Sequence, residues 1–437
     1  MQALFFSPQS SPRLQYTCSF ILRDLLLLDF SITNDPEEFK LFKGIKIYYG
    51  NETVVGDHIS IGNHGLLFET GINVQKIECF NTGNYIALFE AGGYDLPFDI
   101  FSAAFYLVSR YEEYLPHEKD NYGRYSHKNS IAFKENFLHL PLVNTWVKHL
   151  GELIQKKYPR ISLRTPGFSF LATYDIDIAF SYRHKGLLRN MGGFLKSPSL
   201  QRIAVLLRLK DDPFDSYKWL NQLHRHYNLQ PLYFFLVAKN SGLYDKNISP
   251  DTKAMRLLIQ QHAKKYLIGI HPSWQSGDDA ALLQSEKQQL EAIIKTPVTI
   301  SRQHYIRFNL PGGYRQLIGA GITDDYSMGY GSINGFRASV AASFYWYDLQ
   351  QEQATALRIH PFCFMDANAF YEQQLTPLKA AAELMEYYSI CKEVNGRLIT
   401  IWHNNFLGDD PQFAGWKLLY KQFIIQLKSA SWNLKKT

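Results

Sequence analysis

From residue 165 onward, short runs of apolar residues alternate with polar turns and amphipathic helical segments, and this alternation constrains the fold more than any other feature of the sequence. The pattern is typical of β/α units arranged around a parallel sheet or a barrel. The runs that we predict as strands are residues 168–175, 232–238, 266–271, 297–302, 321–327, 355–360 and 398–403. Seven strands of this kind would suit a barrel.

The first 160 residues lack this regular alternation, and a chain of 437 residues is too long for one ordinary domain. They mix short apolar runs with turn signals and contain one clear helix that begins near Pro97, with Phe98, Phe101, Phe105 and Val108 at helical spacing. We therefore predict a smaller α+β domain of unassigned role over residues 1–160, followed by an α/β domain over residues 165–437.

The composition is that of a well-packed globular protein, with 46% hydrophobic and 15% aromatic residues, so long disordered stretches are not expected. The net charge of +6 is mild and the basic residues are scattered, so we expect no nucleic-acid partner. The longest basic cluster, residues 183–189, is interpreted as a solvated loop, with a phosphate-binding patch as the alternative.

The four cysteines lie far apart and form no CxxC pair, which excludes a zinc knuckle and a dense disulfide framework. Reduced thiols in a cytoplasm fit this usage best. Residues 1–20 lack a basic segment followed by a continuous apolar segment, and the apolar run 25–28 is far too short to cross a bilayer. We therefore expect a cytoplasmic protein without a secretion signal or a transmembrane segment.

Two aspartates lie at the end of the first predicted strand of the second domain. Asp175 and Asp177 are two residues apart, so on an extended strand both carboxylates point to the same side. Paired carboxylates repel each other unless a cation or a proton separates them, and one stable solution has one aspartate on a metal ion and the other free as a general base. In the structural alternative, Asp177 caps the following helix and Asp175 accepts from loop amides.

Histidines and an arginine lie at the ends of three other predicted strands. His271 ends the strand 266–271, Arg302 and His304 lie at the end of 297–302, and His403 ends 398–403. A lone histidine in such a place is more often structural, but together with the aspartates this set favours a metal site. One carboxylate and two imidazoles suit a zinc-like ion that keeps an open position for water.

These residues, in this order, resemble the motifs of the polysaccharide deacetylase family, also called the NodB-homology or carbohydrate esterase 4 group, over roughly residues 165–437. The resemblance implies a distorted barrel of about seven β/α units. The segment Thr173-Tyr174-Asp175-Ile176-Asp177 matches the first motif of the family. By that match, Asp175 is the catalytic base and Asp177 is a metal ligand.

The second motif of the family, His-Ser/Thr-x-x-His, is only half present. His271 matches its first histidine, whereas Gln275 occupies the position of the second. Either Gln275 coordinates the metal, or another histidine supplies the ligand, or the site has lost its metal. His304 is the first candidate for the missing ligand and His360 is the second, although His360 also fits a histidine buried in the core.

Two further motifs of the family would supply catalytic groups. Arg302 matches the arginine that orients the base carboxylate, and a fixed guanidinium would also keep that carboxylate ionised. His403 matches the histidine that acts as the general acid. Asp366 is a candidate for the aspartate that pairs with this histidine.

Aromatic residues next to these positions are candidates for substrate binding. We predict that Trp274, Tyr305 and Trp402 form apolar walls on which a pyranose ring rests, with plain packing of the barrel as the alternative. Residues 325–337 also resemble a subgroup of the family that has a separate N-terminal domain. Residues 98–101 and 109–114 resemble that domain.

The resemblance implies a metal-dependent hydrolase that removes N-acetyl groups from a sugar or polysaccharide, with a divalent ion, zinc by its ligand type, as the cofactor. Two alternatives stay open. The same site could hydrolyse another C–N amide bond, or a catalytically degenerate barrel could bind carbohydrate without a metal. Acetate release and metal analysis distinguish the three.

Overall fold

The computed structural model describes residues 2–52, 56–239 and 242–433, and its strands form two sheets and one small hairpin. The first sheet has the order β2-β1-β3-β4, and all of its neighbouring strands are parallel. Its strands are β1 (Gln2–Phe6), β2 (Asp29–Thr33), β3 (Ile45–Tyr49) and β4 (Ile59–Ile61), and the hairpin consists of β5 (Cys79–Asn81) and β6 (Ile86–Leu88).

Five α-helices belong to this N-terminal part of the chain: α1 (Pro12–Cys18), α2 (Pro36–Leu41), α3 (Ile100–Val108), α4 (Ile131–Lys134) and α5 (Leu142–Lys157). Helix α1 continues into a π-helical segment, residues 19–25, that carries the chain from β1 to the parallel strand β2. Parallel neighbours require such a crossover. The arrangement of the first sheet is therefore α/β, where the sequence analysis predicted α+β.

The second sheet has nine strands in the order β12-β13-β11-β10-β9-β8-β7-β15-β14, and only the pair β12 and β13 is antiparallel. Each of the seven predicted strands overlaps one of these. The strands are β7 (Ser169–Ile176), β8 (Leu232–Leu236), β9 (Leu267–His271), β10 (Ile300–Ser301), β11 (Asp324–Asp325), β12 (Phe344–Asp348), β13 (Gln353–Ile359), β14 (Phe364–Met365) and β15 (Arg397–His403). The predicted α/β class is confirmed.

The predicted closed barrel of seven β/α units is not confirmed. Strands β12 and β14 lie at the two ends of the sheet, and among the described residues no ladder joins them. Strand β12 turns back on β13 as an antiparallel neighbour and packs on the N-terminal part, where Tyr16 donates to the carbonyl of Tyr345 at 2.7 Å. Strand β14 has only two residues, so it gives that edge little to pair with.

Eight further helices follow the strands of the second sheet: α6 (Leu187–Lys196), α7 (Leu200–Leu206), α8 (Tyr217–Tyr227), α9 (Lys253–Ala263), α10 (Ala280–Ile294), α11 (Gly312–Gly319), α12 (Pro377–Glu393) and α13 (Trp416–Asn433). Helix α12 begins with a cap, because the side chain of Thr376 accepts from the first turn and Pro377 occupies the first helical position. None of the helices in the described ranges is long and apolar enough to cross a bilayer.

A large hydrophobic core extends through both parts of the chain, beside a small separate cluster on the first sheet. A buried ionic cluster joins them as well, because Glu113 accepts hydrogen bonds from Arg337 at 2.8 and 2.5 Å and from Arg110 at 2.7 Å. Burial opposes the charge of Glu113, but the two guanidinium groups outweigh it and lower the pKa of this carboxyl to about 2. The N-terminal part is thus fixed against the second sheet, beside the edge where the candidate site lies.

Candidate active site

The chemistry-bearing residues lie at the carboxyl ends of neighbouring parallel strands. Asp175 is the penultimate residue of β7, and His403, the last residue of β15, is its register partner. His271 ends β9, and Arg302 follows β10 directly. Because parallel strands bring their carboxyl ends to one edge of a sheet, residues that are far apart in the sequence meet there.

Asp175 and Arg302 form a buried ion pair, with Nη1 of the arginine 2.7 Å from Oδ1 of the aspartate. Three further contacts hold Arg302 in place. Its Nε donates to the carbonyl of Tyr326 at 3.0 Å, and its guanidinium lies 4.3 Å from the centre of the Phe234 ring and 5.9 Å from that of Phe362. The fixed guanidinium keeps the Asp175 carboxylate in one orientation, and that carboxylate lines the cavity.

Asp177, His271 and His304 form a cluster whose ligand atoms lie within 4.8 Å of one another. Nε2 of His271 lies 3.1 Å from Oδ1 of Asp177, and Nε2 of His304 lies 3.3 Å from Oδ2. In both imidazoles Nδ1 donates to another group, the carbonyl of Arg302 at 2.6 Å for His271 and the carboxylate of Asp245 at 2.8 Å for His304. Both rings therefore have Nδ1 occupied and turn Nε2 toward Asp177.

The donor set fits a divalent cation of the zinc type. Acceptors at Nδ1 fix a histidine in the form that presents an unprotonated Nε2, which is the usual arrangement around protein-bound zinc. Oδ1 of Asp177 is buried and has no hydrogen-bond partner in the described structure, although Nε2 of His271 is only 3.1 Å away. The carboxylate of Asp177 and the Nε2 atoms of the two histidines face one another without hydrogen-bonding geometry, so they are suited to share a cation.

The charges of these groups are strongly coupled. Burial works against ionisation of Asp177, but His304 and His403 outweigh it and hold the pKa of this carboxyl well below its usual range. Burial also lowers the pKa of His304, but Asp177 and Asp245 outweigh it and raise this pKa to about 9. A cation bound here would take over the proton's role of balancing these carboxylates, so its binding would release protons.

His403 lies on the other side of Asp177, with Nε2 3.4 Å from Oδ2 of that carboxylate. Asp366, which follows β14, accepts from Nδ1 of His403 at 2.6 Å and from its backbone N–H at 2.7 Å. Burial lowers the pKa of His403, but Asp366 and Asp177 outweigh it and raise this pKa well above its usual value. His403 is therefore a fixed imidazole that holds its proton at the edge of the cavity.

One cavity of about 400 Å³ is lined by Asp175, Asp177, His271, His304 and His403. Aromatic residues form part of its wall, and Tyr305, predicted from the sequence, is among them. Two other tyrosines in the wall pack on Tyr305, since the ring of Tyr122 stacks on it with centroids 5.2 Å apart and the ring of Tyr244 meets it edge-on at 5.5 Å. A cavity of this size and polarity can accommodate a sugar unit.

The N-terminal part of the chain contributes directly to this wall. Residues 119–125 form a turn in which Asp120 accepts from the backbone N–H groups of Tyr122 and Arg124. Nη1 of Arg124 donates to the carbonyl of Tyr305 at 2.7 Å, and its guanidinium lies 4.7 Å from the centre of the Tyr122 ring. This contact holds Tyr305, which has a left-handed backbone with φ of 59°.

Arg302 and Asp366 contact the cavity residues Asp175 and His403 without lining the cavity, and four other predicted residues also lie outside it. Trp402 is fully buried and packs on Tyr420 and Phe364, because it points to the face of β15 opposite to His403. Trp274 stacks on the cavity residue Tyr244 at 4.6 Å but does not line the cavity itself.

Gln275 and His360 are also absent from the cluster around Asp177. Gln275 is exposed, in a short helical turn after β9. His360 contacts Asp324 at 2.8 Å and Ser343 at 2.7 Å, and it stacks on Tyr326. Of the replacements considered from the sequence, the structure brings only His304 to the cluster.

Asp245, Tyr244, Tyr122 and Arg124 were missed by the sequence analysis. Asp245 lies in the loop after β8 and accepts hydrogen bonds from His304 and from the backbone N–H of Trp274. Because it does not lie on a strand, no periodic pattern indicates it. Tyr122 and Arg124 belong to the other half of the sequence. The neighbouring tyrosine Tyr125 is a weak sequence signal for Tyr122, and no clustering of tyrosines marks Tyr244.

A family model and several solved structures are similar to parts of this chain. Residues 3–159 match the model of a family of unknown function, DUF7033. The comparison with curated proteins found no match. Among solved structures, the chain is similar to a Mycobacterium smegmatis protein classed with the polysaccharide deacetylases, with 13% identity, a TM-score of 0.40, and coverage of 61% of this chain and 86% of that one.

It is also similar to the polysaccharide deacetylase Bc1974 from Bacillus cereus, with 10% identity, a TM-score of 0.31, and coverage of 58% of this chain and 85% of that one. A third similar structure is a de-N-acetylase from Aggregatibacter actinomycetemcomitans, with 12% identity, a TM-score of 0.21, and coverage of 36% and 87%. At TM-scores below 0.5 these similarities support no conclusion about activity, so the function has to be argued from the residues of the site.

The contribution of His304 to a cation site can be tested directly. We expect His304→Ala to lower the affinity for zinc by at least about 100-fold, since it removes one of three ligand atoms, while Gln275→Ala keeps the affinity of the unchanged protein. Isothermal titration with zinc measures both. His360→Ala serves as a matched histidine control and is expected to bind zinc normally. Equal losses in the His304 and His360 variants would show that His304 is not a ligand.

Proposed function

We propose that this chain is a metal-dependent hydrolase that removes N-acetyl groups from a sugar or polysaccharide, with zinc as the metal. The observation that supports it best is the arrangement around Asp177. The cluster of Asp177, His271 and His304 can bind a cation. On one side of it lies a carboxylate held by an arginine, Asp175 with Arg302, and on the other side lies a histidine paired with an aspartate, His403 with Asp366. Amide hydrolysis requires a base, a polarising charge and a proton donor, and this arrangement offers all three.

The metal would be held by Asp177, His271 and His304, and when bound it acidifies water and polarises a carbonyl oxygen. Asp175 accepts the proton of the attacking water, because its carboxylate lines the cavity and Arg302 holds it in a fixed orientation. His403 donates a proton to the departing sugar nitrogen, and Asp366 holds the ring with Nε2 toward the cavity.

The substrate class follows from the wall of the cavity. Stacked or edge-on tyrosines at Tyr122, Tyr244 and Tyr305 offer apolar ring faces with polar hydroxyl groups. Such surfaces suit the C–H faces and hydroxyl groups of a pyranose, and the volume of about 400 Å³ limits the inserted part to a small number of rings.

Acetate release from N-acetylglucosamine oligomers by the zinc-loaded protein tests the proposal, with the chelated protein as the control. Acetate release that disappears on chelation and returns with zinc is the expected result. Zinc binding without acetate release, combined with hydrolysis of a cyclic amide, would favour the alternative C–N substrate. Glycan binding without any zinc would favour the degenerate carbohydrate-binding alternative.

Tyr122 provides a test of the contribution of the N-terminal part. We expect Tyr122→Ala to raise KM for the sugar about 3- to 10-fold and to leave kcat within about 2-fold, because the stacking surface is lost while Asp175, His403 and the metal ligands are untouched. Steady-state kinetics measures this. Tyr345→Ala, at a partly exposed tyrosine on β12, is the matched control and should leave KM unchanged.

A further inference from the structure

The segment between β7 and α8 exposes far more apolar surface than a folded chain normally leaves in water. It contains helices α6 and α7, and ten of its large apolar side chains are exposed: Leu187, Leu188, Met191, Phe194, Leu195, Leu200, Ile203, Leu206, Leu207 and Leu209. Leu188 and Leu195 are 86% and 82% exposed. A contiguous apolar patch of this kind usually marks a surface that binds something.

The orientation of helix α6 is reversed relative to that of an ordinary surface helix. In α6 the polar Asn190 is buried and donates to the carbonyls of Tyr182 and Gly186, while the leucines of the same helix face outward. A helix that packs on a protein core buries its apolar stripe. The apolar stripe of α6 is therefore directed away from the protein.

The segment is held firmly at its base. The carboxylate of Asp212 accepts from the backbone N–H groups of residues 181–183 at 2.7 to 2.9 Å, and Arg183 donates to the carbonyl of Lys210 at 2.9 Å, which joins the two ends. Arg189 donates to the carbonyls of Lys246 and Asn247. The patch is thus a structured projection with a fixed orientation.

The charge is one-sided within residues 183–210 of this segment, which Asp211, Asp212 and Asp215 follow. Residues 183–210 contain seven basic residues and no acidic one: Arg183, Lys185, Arg189, Lys196, Arg202, Arg208 and Lys210. The segment charge of +7 exceeds the net charge of +6 of the whole chain, so the rest of the chain is slightly acidic. Lys196, Arg208 and Lys210 are exposed and have no acidic partner among the described residues.

We propose that residues 183–210 are a docking surface for an anionic lipid bilayer. An interfacial helix has two features. Its outward apolar side chains, here leucines and a phenylalanine, insert among lipid chains, and the basic side chains that border them contact phosphate groups. Helix α6 has ten residues and α7 has seven, so neither crosses the bilayer and both lie in its surface. A second copy of this chain is disfavoured as the occupant, because two segments of +7 would face each other.

The apolar patch is connected to residues near the cavity, and this connection does not depend on the proposed hydrolase chemistry. Lys246, whose carbonyl accepts from Arg189, lines the cavity, and the segment itself begins six residues after Asp177. Docking would therefore hold the mouth of the cavity close to the bilayer surface. Membrane binding is measured without any substrate, so its outcome is separate from that of the hydrolase test.

Co-sedimentation of the full chain with vesicles tests the proposal. We expect binding to vesicles of phosphatidylcholine with about 30% of the anionic lipid phosphatidylglycerol. We expect little binding to vesicles of phosphatidylcholine alone. Leu188→Glu combined with Leu195→Glu should weaken binding at least about 10-fold. Lys196→Gln with Arg208→Gln and Lys210→Gln should weaken it about 100-fold, and added salt should reproduce much of this loss.

Two sets of control variants match these changes in exposure and chemistry. Leu378→Glu with Leu418→Glu replaces exposed leucines on α12 and α13, and Lys43→Gln with Lys264→Gln and Lys295→Gln removes three exposed lysines elsewhere. Both are expected to bind vesicles normally. The proposal is overturned if the unchanged protein ignores anionic vesicles, if the control variants lose binding equally, or if light scattering shows a dimer that the Leu188 and Leu195 changes dissociate while vesicles are not bound.

Discussion

Asp175→Asn is expected to lower kcat for acetate release by at least about 10³-fold while the protein keeps its full zinc content, whereas Asp177→Ala is expected to lose both zinc and activity. The difference follows from geometry. Asp177 lies within 3.1 and 3.3 Å of the two histidine nitrogens, but Asp175 gives Oδ1 to Arg302 and its Oδ2 is 3.8 Å from His271. An asparagine at 175 keeps the shape of the site and removes only the base.

Metal analysis by mass spectrometry and an acetate-release assay on the same samples check this pair. Asp348→Asn is a matched control, because Asp348 is a buried aspartate that accepts from Arg315 at 2.7 and 3.0 Å on β12, outside the cavity. Its zinc content and activity should equal those of the unchanged protein. If Asp175→Asn loses as much zinc as Asp177→Ala, the division of roles between the two aspartates is wrong.

The strands of the second sheet could be predicted from the sequence because each is a short apolar run bounded by polar turns. The extent of pairing could not, since residues 297–302 and 321–327 are only partly in ladders, as Ile300–Ser301 and Asp324–Asp325. Closure of the barrel depends on whether the two edge strands reach each other. The antiparallel β12 packs on the N-terminal part instead, and no periodicity within residues 165–437 contains that information.

Residues of the site were predictable where they end a strand. Asp175, His271, Arg302 and His403 all do so, and parallel pairing then brings them to one edge. Asp245 could not be predicted in this way, because it lies in the loop after β8 and reaches the cluster through its hydrogen bond to His304. For aromatic residues, adjacency in the sequence was a poor guide, since neighbouring positions on a strand face opposite sides.

The contribution of the N-terminal part could not be foreseen because it is a contact between residues about 180 positions apart, Arg124 and Tyr305. It changes what the second sheet alone would present. Arg124 holds a carbonyl beside His304, and Tyr122 covers part of the cavity wall. The shape of the cavity therefore depends on a part of the chain that matches only a family model of unknown function.

Asp366 is a positioning residue for His403, and this role leads to the second large effect. Its two oxygens accept from Nδ1 and from the backbone N–H of the same histidine, at 2.6 and 2.7 Å, which fixes both the ring and its tautomer. Asparagine at 366 has nearly the same size but lacks the charge that favours the protonated imidazole. Because the Asp366 carboxylate contributes to raising the pKa of His403, its loss lowers that pKa.

We therefore expect Asp366→Asn to lower kcat about 10²- to 10⁴-fold with zinc content unchanged, and to move the loss of activity at high pH toward lower pH, since the proton donor is deprotonated earlier. Rate against pH, measured beside zinc content, tests this. Asp324→Asn is the matched control, because Asp324 pairs with His360 at 2.8 Å and this pair lies outside the cavity. If Asp366 has only a structural role, the substitution lowers the melting temperature and leaves the pH profile of the remaining activity unchanged. That result would refute the positioning role.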